Sequence, residues 1–272
     1  MSTNLRHGNF AGARRLVRLL AGLLRRAFAL YAITLFAALV ATFFLVAKPL
    51  RSVAAKRRVA RTMARLFFHI LRMPLTAKGL DRLPSEPHIL LVNHSSFLDA
   101  IVLTALLPAT PGYTFTTRQE FRAQSLLCPI LRQVHVLVLD ASERAHGANI
   151  DLMSAALRRG ESLVIFPEGG FVSGPGLLEF HSGAFIVASR TEVDVVTVGL
   201  RGTRTALPLG TWSLRRVPIS IEIGPAFKCI SEQPAEVQTV STAARAAMLA
   251  LCGEPSSSLR VDTLSFQHRI KH

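Results

Sequence analysis

The chain has 272 residues, half of them apolar, and a formal net charge of +15, enough for one sizeable domain plus an appendage. Such a surplus suggests nucleic acid, but its distribution argues against that: residues 1–80 hold 15 Lys/Arg and no carboxylate, while residues 81–272 hold 17 residues of each sign, and no aromatic platform is interleaved with the basic ones. Cys128, Cys229 and Cys252 stand far apart without CxxC or His-rich company, which supports neither a disulfide framework nor a zinc site and fits a reducing compartment.

The first element is apolar. Residues 27–47, AFALYAITLFAALVATFFLVA, are 21 in number and uncharged, long enough to cross about 30 Å of hydrocarbon as a helix. Their length and the basic KPLRS that follows predict retention in the mature protein rather than cleavage as a signal. Arg14, Arg15, Arg18, Arg25 and Arg26 precede the stretch, and Lys48, Arg51, Lys56, Arg57, Arg58, Arg61 and Arg65 follow it. A simple span concentrates positive charge on its cytoplasmic side. Two basic flanks leave both a span and a helix dipping into one leaflet open. In residues 52–73, Val59, Met63, Leu66, Phe67, Ile70 and Leu71 recur at helical spacing among arginines. Such a helix either lies in a headgroup layer with anionic lipid as partner or packs its apolar face on the next domain. Residues 1–74 are thus expected to be a membrane-anchoring arm, with the rest on the cytoplasmic face (of the inner membrane, in a bacterium).

After Pro74, short apolar runs predict strands at 87–92, 112–116, 134–139, 162–166, 193–200 and 218–224, and helices at 99–107, 119–127, 143–159 and 181–190. This alternation predicts an α/β domain over 75–252, with a mostly parallel sheet flanked by helices. A last helix, 234–252, precedes a polar tail, 253–272, expected to be poorly ordered.

In open α/β sheets chemistry collects beyond the carboxyl ends of strands. His94 follows one predicted strand and Glu168 another, which favours a shared cleft. Asp99, five residues after His94, is able to fix the imidazole and stabilise its protonated form if residues 95–98 turn tightly. Asn93 is placed to tie that turn. The alternative, a strand-end histidine and an aspartate N-cap, stays open from these residues alone. Ser95 and Ser96 lie in no GxSxG elbow, which favours direct transfer over a covalent intermediate. VIFPEGG, residues 164–170, ends a strand and puts Gly169 and Gly170 where backbone approaches a ligand closely. HExxH, Walker and GxGxxG patterns are absent, so no metal or nucleotide cofactor is expected.

NHSSFLD (93–99), FTTRQEF (115–121), FPEG (166–169) and FHSGAFIVASRTEVDVVTVGLRGTR (180–204) together, in this order, resemble the blocks of the glycerolipid acyltransferases, the lysophospholipid acyltransferase superfamily. The resemblance runs over about residues 75–225. It implies acyl transfer from a thioester of coenzyme A or acyl carrier protein, a cosubstrate, to the hydroxyl of a lysolipid. It implies His94 as general base with Asp99 holding it, acceptor positioning by Glu168, Gly169 and Gly170, and Arg118 meeting an anionic headgroup. The family's phosphate binders follow FPEG with Thr-Arg, whereas this chain has Gly170 and Phe171. Arg118, Arg201 or Arg204 would then take over, or the acceptor is not a simple phosphate monoester. The strand VHVLVLDASER also lacks the family's Ile-Asp-Arg wording, although Asp140 and Arg144 stand close. The expected acceptor is 1-acylglycerol-3-phosphate, giving phosphatidic acid, with a lyso-ornithine lipid or another lysophospholipid as the rival. A non-catalytic membrane scaffold has no need of His94, Asp99 and Glu168 together, and a hydrolase would turn over without acceptor lipid.

Overall fold

Strand β2 (Ile89–Val92) sends Leu90 and Val92 to one face and Ile89 and Leu91 to the other, all four buried, as a strand covered on both sides requires. In this computed structural model the described residues are 5–109, 112–119, 132–140 and 142–260. The other strands are β1 (Leu75–Lys78), β3 (Tyr113–Arg118), β4 (Leu137–Leu139), β5 (Ser162–Ile165), β6 (Val195–Arg201) and β7 (Ile219–Phe227). They form one seven-stranded sheet in the order β1-β7-β6-β2-β5-β3-β4. Every neighbouring pair is parallel except β6 and β7. The sheet is therefore mostly parallel and flanked by helices, as the alternating pattern predicts.

The α-helices that lie wholly within the described residues are α1 (Leu5–Ala47), α2 (Val53–Ile70), α3 (Asp99–Leu106), α4 (His146–Arg158), α5 (Gly183–Thr191), the single turn α6 (Thr203–Ala206) and α7 (Pro234–Cys252). One core layer joins α2 and α3 to the sheet, with Phe28, Ala32, Leu35, Phe36 and Leu39 of α1 packed against it. The second layer lies under α4, α5 and α7. Helix α7 comes so close to β6 that a Cβ on Gly199 would sit 2.4 Å from Leu251 Cβ, a separation only glycine allows.

Helix α1 is longer than its apolar stretch because Ala, Leu and Arg all favour helix. Within its Arg14–Ala47 portion an 18-residue window has a mean hydropathy of 2.4 and is 11% buried, so the helix is long and apolar enough to cross a membrane. The apolar face of α2 packs on the α/β domain: Phe67, Phe68 and Leu71 are core residues, and Phe67 meets Phe36 of α1 edge-on at 5.6 Å. Two of its arginines also face inward. Arg57 Nη2 donates to Thr114 Oγ1 at 2.6 Å, and Arg65 Nε donates to Ala105 O at 2.9 Å.

Three expectations change. The strand expected at 134–139 begins at Leu137, because His135 adopts a left-handed φ of +58°. Strand β1 escapes the pattern: it is four residues long and alternates half-buried with exposed positions at the sheet edge. The tail is fixed as far as residue 260, where Leu177 N donates to Pro255 O (2.8 Å), Ser257 N to Leu177 O (3.1 Å), and Arg245 Nη2 to Ser257 O (2.7 Å). The helix expected at 119–127 lies outside the described residues beyond Gln119, as does Cys128.

Candidate functional site

Strands β2 and β5 are parallel neighbours with Leu91 opposite Ile165. Three residues beyond that register stand His94 and Glu168, so the two motifs leave the sheet side by side at its carboxyl end. Beyond β2 the chain turns through Ser95–Leu98 into α3, whose first residue is Asp99. The turn brings Asp99 Oδ2 within 2.8 Å of His94 Nδ1, while Ser95 N and Ser96 N donate to the same oxygen at 2.7 and 3.0 Å. Asp99 is fully buried and the His94 side chain is 17% exposed. With its proton on Nδ1, the ring donates to Asp99 and presents Nε2 as acceptor. Such a pair is able to take a proton from an approaching hydroxyl and stabilise the imidazolium that results.

Two aromatic rings bracket the imidazole. Phe166, from the exit of β5, stacks on it at 4.1 Å and 18°; Phe171 lies at 4.3 Å and 60°. Phe171 is 1% exposed and meets the half-exposed Phe97 ring edge-on at 5.0 Å. These rings are the site residues that motif spacing does not reveal. The Gly-Phe departure from Thr-Arg was visible in the sequence; its packing against His94 was not.

Glu168 is buried, and its oxygens accept His94 N at 2.6 Å and Leu178 N at 2.8 Å. Burial pushes its carboxyl up to about 8, against the two backbone donors, which favour the anion; nearby Asp99 adds to the rise. Gly169 needs its glycine: φ is +69°, and a Cβ would lie 2.8 Å from His181 Nε2 and 3.9 Å from Arg118 Nη1. Arg118 Nη1 donates to Gly169 O at 3.1 Å. Gly170 is buried beside it. His181, a component of the FHSGAF block, joins the site from the segment before α5.

Two further residues expected at the site face protein. The Asn93 side chain spans to β6, donating to Leu200 O at 3.0 Å and accepting Leu200 N at 2.7 Å, so its amide extends the sheet ladder rather than tying the 95–98 turn. Arg204 donates to Glu254 (2.8 Å) and to the carbonyls of Val172 (2.7 Å) and Gly174 (2.6 Å). It clamps the loop after Phe171 to the tail. Arg201 donates to the carbonyls of Leu251 and Ala250, at the end of α7. Of the three arginines considered for an anionic headgroup, Arg118 is the one against the Gly169 backbone. Ser95 Oγ and Ser96 Oγ bond Thr203 Oγ1 (3.0 Å) and Leu207 O (2.8 Å), and Ser96 Oγ also accepts Leu98 N within the turn at 3.2 Å.

A model of the Acyltransferase family matches residues 74–201. The 1-acyl-sn-glycerol-3-phosphate acyltransferase of Saccharomyces cerevisiae is 28% identical over 171 residues, 59% of this chain and 55% of that protein. The enzyme of the same name from Neisseria gonorrhoeae is 27% identical over 168 residues, 55% of this chain and 63% of that protein. The chain spans about half the length of the curated relatives it matches. In fold it is similar to the crystal structure of the 1-acyl-sn-glycerophosphate (LPA) acyltransferase PlsC from Thermotoga maritima, with a TM-score of 0.66 and 16% identity over 86% of this chain and 98% of that one. Motif order, most of the sheet and the family match coincide on residues 74–201, and over that stretch the chain is similar to the Acyltransferase family and to 1-acyl-sn-glycerol-3-phosphate acyltransferases.

Proposed function

We propose that the chain is a membrane-attached O-acyltransferase that moves a fatty acyl group from a thioester to the free hydroxyl of a lysolipid, with 1-acylglycerol-3-phosphate as acceptor and phosphatidic acid as product. The observation that carries this reading is the His94–Asp99 pair, 2.8 Å apart and joined through the His94 backbone to Glu168. His94 Nε2 removes the acceptor's hydroxyl proton as its oxygen attacks the thioester carbonyl. The C–S bond then breaks, and the departing sulfur takes the proton back from the imidazolium. Asp99 stabilises that cation and fixes the ring. Arg118 meets the acceptor's anionic group beside Gly169. The donor is acyl-CoA or acyl carrier protein, and α1 holds the domain to the cytoplasmic face of an anionic membrane.

One observation favours a second acceptor. Where the family's phosphate binders carry arginine, Phe171 is buried against His94, and a bidentate phosphate clamp is missing there. A lyso-ornithine lipid or another lysophospholipid would not need it. Purified protein given labelled acyl-CoA and a panel of lysolipids separates the readings. Fastest labelling of lysophosphatidic acid, lost with Arg118→Ala, supports the first. Preference for a zwitterionic lysolipid, unmoved by that substitution, supports the second. No labelled lipid with any acceptor contradicts both.

A further inference from the structure

The loop 207–217 joins α6 to β7 and touches both the site and the helix proposed to hold the membrane. At its start Leu207 O accepts Ser96 Oγ, within the turn that carries His94. At its end Arg216 Nε donates to Leu71 O at 2.8 Å, and the guanidinium sits 4.7 Å from the Phe28 ring centroid. Between these ends, Leu214 is buried in the core and Arg215 N donates to Ala206 O at 2.7 Å. A turn closed by Thr211 N donating to Pro208 O (3.2 Å) leads into Trp212, which is 81% exposed. A firmly held loop thus presents the chain's one tryptophan to the outside.

Its level on α1 matters. Phe28 is the second residue of the uncharged stretch 27–47 and follows directly on Arg25, Arg26 and Ala27. A helix entering hydrocarbon crosses the headgroup layer at such a boundary, where tryptophan and tyrosine rings favour the half-wet environment. The segment LPLGTWSLRRV contains two arginines and no acid, which suits an anionic lipid surface. Nearby α1 side chains Leu23, Leu24, Leu30 and Tyr31 are exposed as well. One ring, one cation and a small turn make too little area for a stable protein interface.

We propose that the Trp212–Arg215 tip of this loop is a second membrane contact that inserts into the headgroup layer and seats the His94 end of the sheet against the bilayer. The proposal rests on membrane attachment through α1. Because Trp212 is the single tryptophan, its fluorescence reports the contact directly. The full chain is bound to vesicles of phosphatidylcholine and phosphatidylglycerol carrying bromine near the headgroup or near the chain end. The expected result is a blue-shifted emission, quenched more by the shallow bromine than by the deep one. Trp212→Ala should still float with vesicles and act normally on a soluble short-chain lysolipid, yet lose rate several-fold on vesicle-borne lysolipid. Water-like emission from floating protein, open to iodide, overturns the proposal. So does shielding from iodide without bromine quenching, which would mean that protein covers the face. A chain that does not float removes attachment by α1, and the proposal with it.

Discussion

Glu168 Oε1 accepts the backbone N–H of His94 at 2.6 Å while its other oxygen accepts Leu178 N, so one buried carboxyl joins both motifs and the segment after the Phe171 loop. In Glu168→Gln the carbonyl keeps one donor and the amide NH₂ faces the other, an unmet bond costing about 1–3 kcal/mol. The shift of the backbone at residue 94 should lower kcat more than it raises KM. The pH dependence follows from the carboxyl's rise from 4.5 to about 8. The folded state favours the protonated form, so this contribution to stability is full below 4.5 and is lost as pH rises to about 8. Thermal unfolding across that window should show this downward slope for the native chain and a flatter one for Glu168→Gln. Parallel slopes would contradict the assignment.

Asp99→Asn tests charge apart from orientation. An asparagine oxygen still accepts from Ser95 N and Ser96 N, but the imidazolium loses its counter-charge. Turnover should fall by about 10²–10⁴-fold with little change in the lysolipid KM, and the fold should persist. A change confined to KM, measured by steady-state kinetics, would mean that the aspartate serves binding.

Phe171→Arg asks whether the missing phosphate clamp returns with its residue type. The native ring is 1% exposed between His94 and Phe97, so the variant buries an uncompensated charge. It should melt earlier than Phe171→Leu and gain no preference for lysophosphatidic acid. Phe171→Ala should cost about 3–5 kcal/mol through the void it leaves. A stable Phe171→Arg enzyme that prefers lysophosphatidic acid more strongly than the native chain does would show that residue 171 is free to face the headgroup.

Local spacing explains what the sequence made legible. His94 and Asp99 are separated by one turn, so strand end, turn and helix start were enough to suggest their contact. The central strands were legible because each is a short run dominated by apolar residues. Long-range choices were not. Asn93 pairs with Leu200, 107 residues away, and nothing near Asn93 signals it. Arg204 was readable as a cation, but its carbonyl partners at Val172 and Gly174 exist only once the loop has closed. The serine-rich tail looked loose because its polarity is local, whereas Leu177 and Arg245, which hold it, are distant in the chain. Strand β1 depends on pairing with β7 and carries too short a pattern to stand out.

The most direct test uses labelled acyl-CoA with vesicle-borne lysolipid, comparing the native chain with His94→Ala and following label in both lipid and protein. The native chain should acylate the lysolipid, His94→Ala should do so about 10²–10⁴-fold more slowly, and neither protein should carry label when the acceptor is withheld. Equal rates for the two chains, or acyl-labelled protein that passes its label to lipid, would contradict direct transfer by a histidine base.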